Sequence, residues 1–392
     1  MDPDLSDLDA YLDREGLGGY LLDADARTSD QFYLSGFDAS DPFVTLRAGG
    51  ATALLVSGLE YARAREESRA DEVRRLSEYD YRSLVAEHGE GRGRAMVVAA
   101  FCSEFGSDAV AVPRRFPVGT ADGLREQGVA VETDEEGVVE GIRAVKTDEE
   151  VASVRAAQRA NEVAMHAAKN RIESATVEDG VLHGDDGPLT SEDVREEIES
   201  TLLHNGCRLD ETIVSCGADA AVPHDRGSGP LRADEPIIVD IFPQSKTTRY
   251  HADMTRTFVK GEPSRELRGF YEVTREAFEA ALSTLGPGVT GEAVDDAVCD
   301  VYEDAGYPTT RSDEGTETGF IHSTGHGVGL DVHEAPRLGQ GATDELEPGH
   351  VVTVEPGLYD PDVGGVRIED LVVVTGDGYE NLTDFGHGWL LE

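Results

Sequence analysis

The segment Ile237-Ile238-Val239-Asp240-Ile241-Phe242 sets an acid inside an apolar strand. Strand alternation puts Asp240 on the face of Ile238 and Phe242, where water is excluded. A buried carboxylate without a partner is costly, so Asp240 must be paired, hydrogen-bonded or bound to a metal. The pattern recurs. His251 to Thr257 reads HADMTRT and carries Asp253 into the strand that returns from the same hairpin. Val351 to Gly357 reads VVTVEPG and ends an apolar strand on Glu355. Gly365 to Asp370 reads GVRIED and holds Glu369 within another strand. One such acid is an ordinary strand-end charge. Four in one expected sheet need a shared cause.

A histidine-rich stretch supplies it. Gly319 to Glu334 reads GFIHSTGHGVGLDVHE, with His322, His326 and His333 close together in a chain that has 11 histidines among 392 residues. Gly325, Gly327 and Gly329 alternate around His326. Two Asp, two Glu and one His suit a dinuclear divalent-metal site, because carboxylates bridge and neutralise two cations while imidazole fills a terminal position. Such a pair polarises a carbonyl and activates water, which suits peptide-bond hydrolysis. Other hydrolase chemistries find no support. His333-Glu334-Ala335-Pro336-Arg337 is not H-E-x-x-H, which rejects a thermolysin-type zinc site. No G-x-S-x-G or Cys/His pairing supports a covalent nucleophile.

Length and charge bound the setting. A chain of 392 residues is too long for one ordinary core and suits two domains. Asp plus Glu number 79 against 34 Lys plus Arg, a formal net charge of -45, and the acids are spread along the whole chain. Self-repulsion of this size is relieved at high salt, so the composition reads as adaptation to a very salty cytoplasm. Nucleic acid is excluded as a partner, since phosphate binding needs a basic face. No apolar run is long enough to span a bilayer, and the acidic N-terminus lacks the layout of a signal peptide, so a soluble cytoplasmic protein is expected. Cys102, Cys207, Cys216 and Cys299 show no metal or redox spacing and read as small core residues.

Along the chain, the first 140 or so residues alternate short helices and strands, as an α/β domain does. Strands are expected at Tyr20–Leu22, Phe43–Leu46, Ala51–Val56 and Ala109–Val112, with helices at Leu5–Arg14, Gly58–Glu67 and Val97–Phe105. GEGRGRA at Gly89 to Ala95 lacks a preceding strand and reads as a surface turn, not a dinucleotide loop. Thr147, followed by Glu149 and Glu150, caps a long helix that opens a second domain near Ala144. Ser174 to Thr190 reads as a polar loop. A helix at Ser191–Asn205 and strands at Thr212–Ser215, Pro236–Phe242 and Ala252–Val259 follow. Helices at Ser264–Leu285 and Gly291–Ala305 precede strands at Val351–Glu355, Gly365–Val374 and Tyr379–Leu382. Helices then strands, twice over, predicts a two-fold repeat with helices covering a mostly antiparallel sheet.

The ordered series Asp240, Asp253, His326, Glu355, Glu369 resembles the ligand set of the pita-bread metallopeptidases, family M24. VDIFPQSKTTRYHADMTRTF, HSTGHGVGLDVHE, VEPGLY, GVRIED and the linker IRAVKTDEEVASVR are similar to the proline-specific branch, Xaa-Pro dipeptidase (prolidase) and aminopeptidase P. The resemblance implies an α+β chain: a smaller creatinase-like α/β domain over residues 1–143, then a pseudo-two-fold pita-bread catalytic domain over 144–392.

It also implies roles. Asp240 would chelate one of two divalent ions per subunit, Asp253 and Glu369 would bridge both, and His326 and Glu355 would complete the other shell. Glu355 would also be the general base. His333 would donate to the scissile carbonyl, His224 and His322 would contact substrate or line its pocket, and Arg367 would orient substrate or a ligand. The metals would be Mn, Co, Zn or Fe, with Mn favoured. The substrate would be a peptide with proline in second position, and the assembly a homodimer. His251 reads as a hydrogen-bonding neighbour, and His166, His183, His204, His350 and His387 as structural or exposed. Where the family commonly has Gly two residues after the first Asp, this chain has Phe242, and its Asp240–Asp253 hairpin is longer. The rival readings are a catalytically inactive pita-bread binding module and an aminopeptidase without proline specificity.

Overall fold

The computed structural model describes residues 3–209 and 211–392, which divide into two compact units between Arg143 and Ala144. The first unit is built on a six-stranded mixed sheet. Its spatial order is Glu72–Arg75, Ala51–Val56, Phe43–Ala48, Gly19–Ala24, Ala109–Val112, Ala130–Thr133. Leu21, Val44, Leu46 and Val110 on this sheet pack with Val97, Val98 and Phe101 of the helix Glu90–Glu104. That helix corrects one expectation. Gly89–Ala95 is not a surface turn but the junction and first turns of the helix. A Cβ on Gly93 would fall 2.7 Å from the Val85 backbone nitrogen, so the glycine lets the helix Tyr81–His88 pack backbone to backbone.

In the second unit, Thr147 caps Asp148–Glu173, with Glu150 reaching back to the Thr147 N–H at 2.7 Å. The same device, Thr190 with Asp193, opens Ser191–His204. These two helices bury Ala164, Met165, Ile172, Val194, Ile198 and Leu202 with Val214, Ile237, Val239, Ile241 and Phe258. Those strand residues belong to a four-stranded sheet ordered Thr212–Cys216, Ile237–Ile241, Met254–Lys260, Leu390–Leu391. The helices Arg265–Thr284 and Gly291–Asp304 cover a second sheet in the same way, burying Phe270, Phe278, Val294 and Val298 with Val352, Val354, Val372 and Val374. This sheet has five antiparallel strands ordered Glu334–Leu338, Gly325–Gly327, Val351–Val354, Asp370–Thr375, Gly378–Asn381. Helix pair on sheet therefore occurs twice.

Two strand expectations change. Ser174–Thr190 is not a plain loop: Thr176–Glu178, Val181–Gly184 and Gly187–Pro188 form a small sheet around Asp179-Gly180, both at positive φ. The stretch Gly365–Val374 is not one strand. Gly364–Arg367 pairs with Gly357–Asp360, and Asp370–Thr375 pairs with Val351–Val354. Between them the Ile368 N–H donates to Pro356 O and the Glu369 N–H donates to Thr255 O. The chain is changing partners at that step, and this crossing sets Glu369 where the two halves of the unit meet.

Candidate metal centre

Asp240 lies on the face of Ile237–Ile241 opposite the helices, where its neighbour Ile238 packs with Ala220 and Tyr359. Asp253 immediately precedes Met254–Lys260 and is buried, with its backbone N–H donating to Gln158 Oε1. His326 occupies the middle of Gly325–Gly327, and Glu355 follows Val351–Val354 with its N–H donating to Thr324 O. The first half of the unit thus supplies two aspartates, and the second half the histidine and two glutamates. Ligand-type atoms of Asp253, His326 and Glu369 all lie within 4.8 Å of one another. His326 Nε2 is 3.3 Å from Glu355 Oε1 and 3.8 Å from Asp253 Oδ2.

The electrostatics of this cluster are unfavourable by themselves. Burial, then Glu369, Asp240 and Glu355, hold the Asp253 carboxyl well above the usual carboxylate range. Burial, Glu355 and Asp240 do the same to Glu369. Burial is the main reason Glu355 is pushed up to about 7; Arg367 works against it and Asp240 with it. Burial also lowers His326. Its Nδ1, 3.1 Å from Gly327 O, must carry the ring proton as donor. Nε2 then presents a lone pair to two carboxylates, acceptor against acceptor. Asp240 Oδ1 and Glu369 Oε1 are buried with no hydrogen bond among the described residues. Orphaned oxygens, like charges and a histidine lone pair on one small volume are the donor set of divalent cations. The residues present fit such ions.

A second network braces one edge. Arg367, fully enclosed, donates from Nη2 to Asp240 Oδ2 at 2.7 Å and from Nη1 to the Tyr359 hydroxyl at 2.8 Å. Tyr359 Oη lies 2.9 Å from His322 Nε2, and His322 Nδ1 lies 2.8 Å from Ser323 O. Since Nδ1 must donate to that carbonyl, Nε2 accepts from the tyrosine and His322 is neutral. Burial, reinforced by Arg367, lowers it to about 3. Both of its ring nitrogens are engaged within the protein. Burial disfavours the Arg367 charge, but Tyr359, Asp240 and Glu355 more than offset this and keep it cationic. The Thr255 hydroxyl donates to Glu369 Oε2 at 2.7 Å and accepts from Arg367 Nε at 3.2 Å, tying the two networks together.

His333 and His224 stand at the exposed side. The His333 ring packs edge-on against His326 with centroids 4.3 Å apart. Burial of its ring, with the nearby charges of His326 and His224, lowers His333 to about 4, so it is neutral at pH 7. His224 sits in the turn after Pro223 and is close enough to influence His322, His333 and Glu355. His251 Nδ1 is 3.4 Å from Phe242 O, a hydrogen-bonding neighbour outside the cluster. The four cysteines are free thiols. Sequence reasoning missed Tyr359, Thr255 and Thr353, whose hydroxyl donates to Glu355 Oε1 at 3.2 Å. Tyr359 was accessible to reasoning, because a phenol in an apolar strand needs a partner when buried.

Residues 152–376 match the model of metallopeptidase family M24, and residues 5–145 match the creatinase/prolidase N-terminal domain. The chain belongs to metallopeptidase family M24. Among its relatives is a Xaa-Pro dipeptidase of Pyrococcus horikoshii, 27% identical over 379 residues, spanning 95% of this chain and 94% of that one. The solved structure of a Xaa-Pro dipeptidase from Bacillus anthracis superposes with a TM-score of 0.82 at 25% identity, covering 98% of both chains. A prolidase structure from Pyrococcus horikoshii gives 0.78 at 26% identity, again over 98% of both. The M24 fold, a creatinase-like unit followed by a pita-bread unit, is the architecture described above. No helix among the described residues is long and apolar enough to cross a membrane.

Proposed function

We propose that this M24 peptidase hydrolyses the bond between an N-terminal residue and a following proline, with two divalent cations held by Asp240, Asp253, His326, Glu355 and Glu369. The observation that carries the reading is the buried cluster of four carboxylates around the His326 lone pair, a donor set suited to divalent cations. Relatives named Xaa-Pro dipeptidase support the substrate class. Bound cations of this kind supply Lewis acidity and lower the pKa of water. The chain's own groups do the rest. Glu355 takes a proton from the attacking water and returns it to the departing proline nitrogen. Neutral His333 donates its ring N–H to the carbonyl oxygen as that oxygen gains charge. The imide bond before proline has no N–H, so recognition must act on the carbonyl. His224 contacts substrate from the opposite turn. Arg367 holds Asp240 in place, and His322 acts through Tyr359 and Arg367.

The donor set has oxygen and nitrogen only, so Mn, Co, Zn or Fe can serve, and we take Mn²⁺ as the working ion. A cytoplasmic homodimer adapted to high salt completes the reading. It is tested with Xaa-Pro dipeptides, Xaa-Pro-Yaa tripeptides and the matching Xaa-Ala peptides at high salt, with each metal in turn. Proline in second position should dominate turnover, and the preferred length separates dipeptidase from aminopeptidase P. Faster cleavage of the Xaa-Ala series would favour an aminopeptidase without proline specificity. A folded, metal-loaded protein that cleaves none of them would favour the binding module.

A further inference from the structure

Lys146 is one of only four lysines among 34 basic residues, and the only one whose side chain is fully enclosed. Its ammonium lies 2.8 Å from Glu334 Oε1, with side-chain exposures of 0% and 9%. The backbone holds Lys146 in place on both sides. Its N–H donates to Gly349 O, and Thr147 beside it caps the long helix. Glu334 opens the strand Glu334–Leu338 and immediately follows His333.

The alternating glycines now have a cause. A Cβ on Gly329 would fall 1.6 Å from Glu334 Oε1, and a Cβ on Gly327 would fall 2.2 Å from Ala335 O. Both glycines leave room for the strand that carries Glu334, so its carboxylate can reach the lysine. Removing one partner of a buried pair of this kind leaves the other charge buried and unpaired, which is costly. Glu334 is drawn inward to Lys146, while His333, in the bend just before the strand, is exposed and stands edge-on to His326.

We propose that Lys146 is a positioning residue: through Glu334 it fixes the segment that aims His333 at the substrate carbonyl. The inference rests on the proposed role of His333. In the holoenzyme at high salt, Lys146→Met should lower kcat about tenfold to a hundredfold, the cost of a small misplacement of a reacting group. KM and metal content should stay unchanged. Glu334→Gln keeps size and removes only the charge; it should behave the same way and stands in should Lys146→Met not fold. Combined with His333→Ala, either variant should cause no further loss beyond that of His333→Ala alone. Wild-type kcat in a folded single variant, loss of bound metal, or multiplicative losses in the combination would overturn the inference. A wild-type rate in His333→Ala itself would instead overturn the reading of His333, and the inference with it.

Discussion

The proposed cation site sets the first expectations. Replacing His326 or Glu369 by alanine should abolish turnover, and retained full activity would refute the site. Glu355→Gln keeps shape but not basicity, so kcat should fall by about 10²–10⁴-fold. The metal-free protein should also show its strain. Asp253 and Glu369 sit well above the usual carboxylate range and Glu355 at about 7, so the folded state keeps protons that the unfolded chain has already released. The stability Glu355 contributes is therefore lost as pH rises from the ordinary carboxylate range through about 7, and that of Asp253 and Glu369 is lost as pH rises through their own raised values. Cations replace those protons, so added Mn²⁺ should raise the melting temperature more near pH 8 than near pH 5. Melts with and without chelator decide this, and a larger shift at the acid end would contradict it. The acids were legible in the sequence because each lies within or at the end of a strand-like stretch. The supporting hydroxyls of Thr255 and Thr353 were not, because Thr is an ordinary strand residue whose partner is fixed only by tertiary contact.

The elements follow local chemistry where that chemistry is strong. Thr147, Thr190, Ser264 and Thr290 each cap the helix that follows, and the four long helices of the second unit begin where these caps place them. Thr190→Ala should cost about 1 kcal/mol of stability in denaturant melts and leave kcat unchanged, since this cap lies away from the cluster. An unaltered midpoint would show that packing alone sets the start of that helix. The misreadings lie where a short signal competed with composition. Asp179-Gly180 is a hairpin turn signal inside a polar stretch, and the polarity of Ser174–Thr190 obscured it. Gly93 suggested a turn but serves a helix contact. The break between Arg367 and Asp370 is invisible to periodicity, because the apolar pattern runs through it while the hydrogen-bond partner changes. That break is the step that delivers Glu369.

In the molecule as a whole, the two-fold repeat of the second unit brings acids far apart in sequence to one seam. Its helix-then-strand pattern was readable, but the division into two sheets and a hairpin was not, since strand pairing is set by contacts across the unit. The net charge of -45 acts on the whole molecule too. Lowering salt from about 1 M to about 0.1 M lengthens the screening distance from about 3 Å to about 10 Å. The melting temperature should fall steeply over that range and recover when salt is restored; a salt-independent melt would remove the case for a salty working environment. The centre itself is tested most directly by titrating chelator-treated protein with Mn²⁺ at high salt while following hydrolysis of a Xaa-Pro dipeptide. The rate should start near zero and rise to a break at two equivalents per chain. Full activity in the chelated protein, or a rate that never responds to the metal, would contradict a two-cation peptidase built on Asp240, Asp253, His326, Glu355 and Glu369.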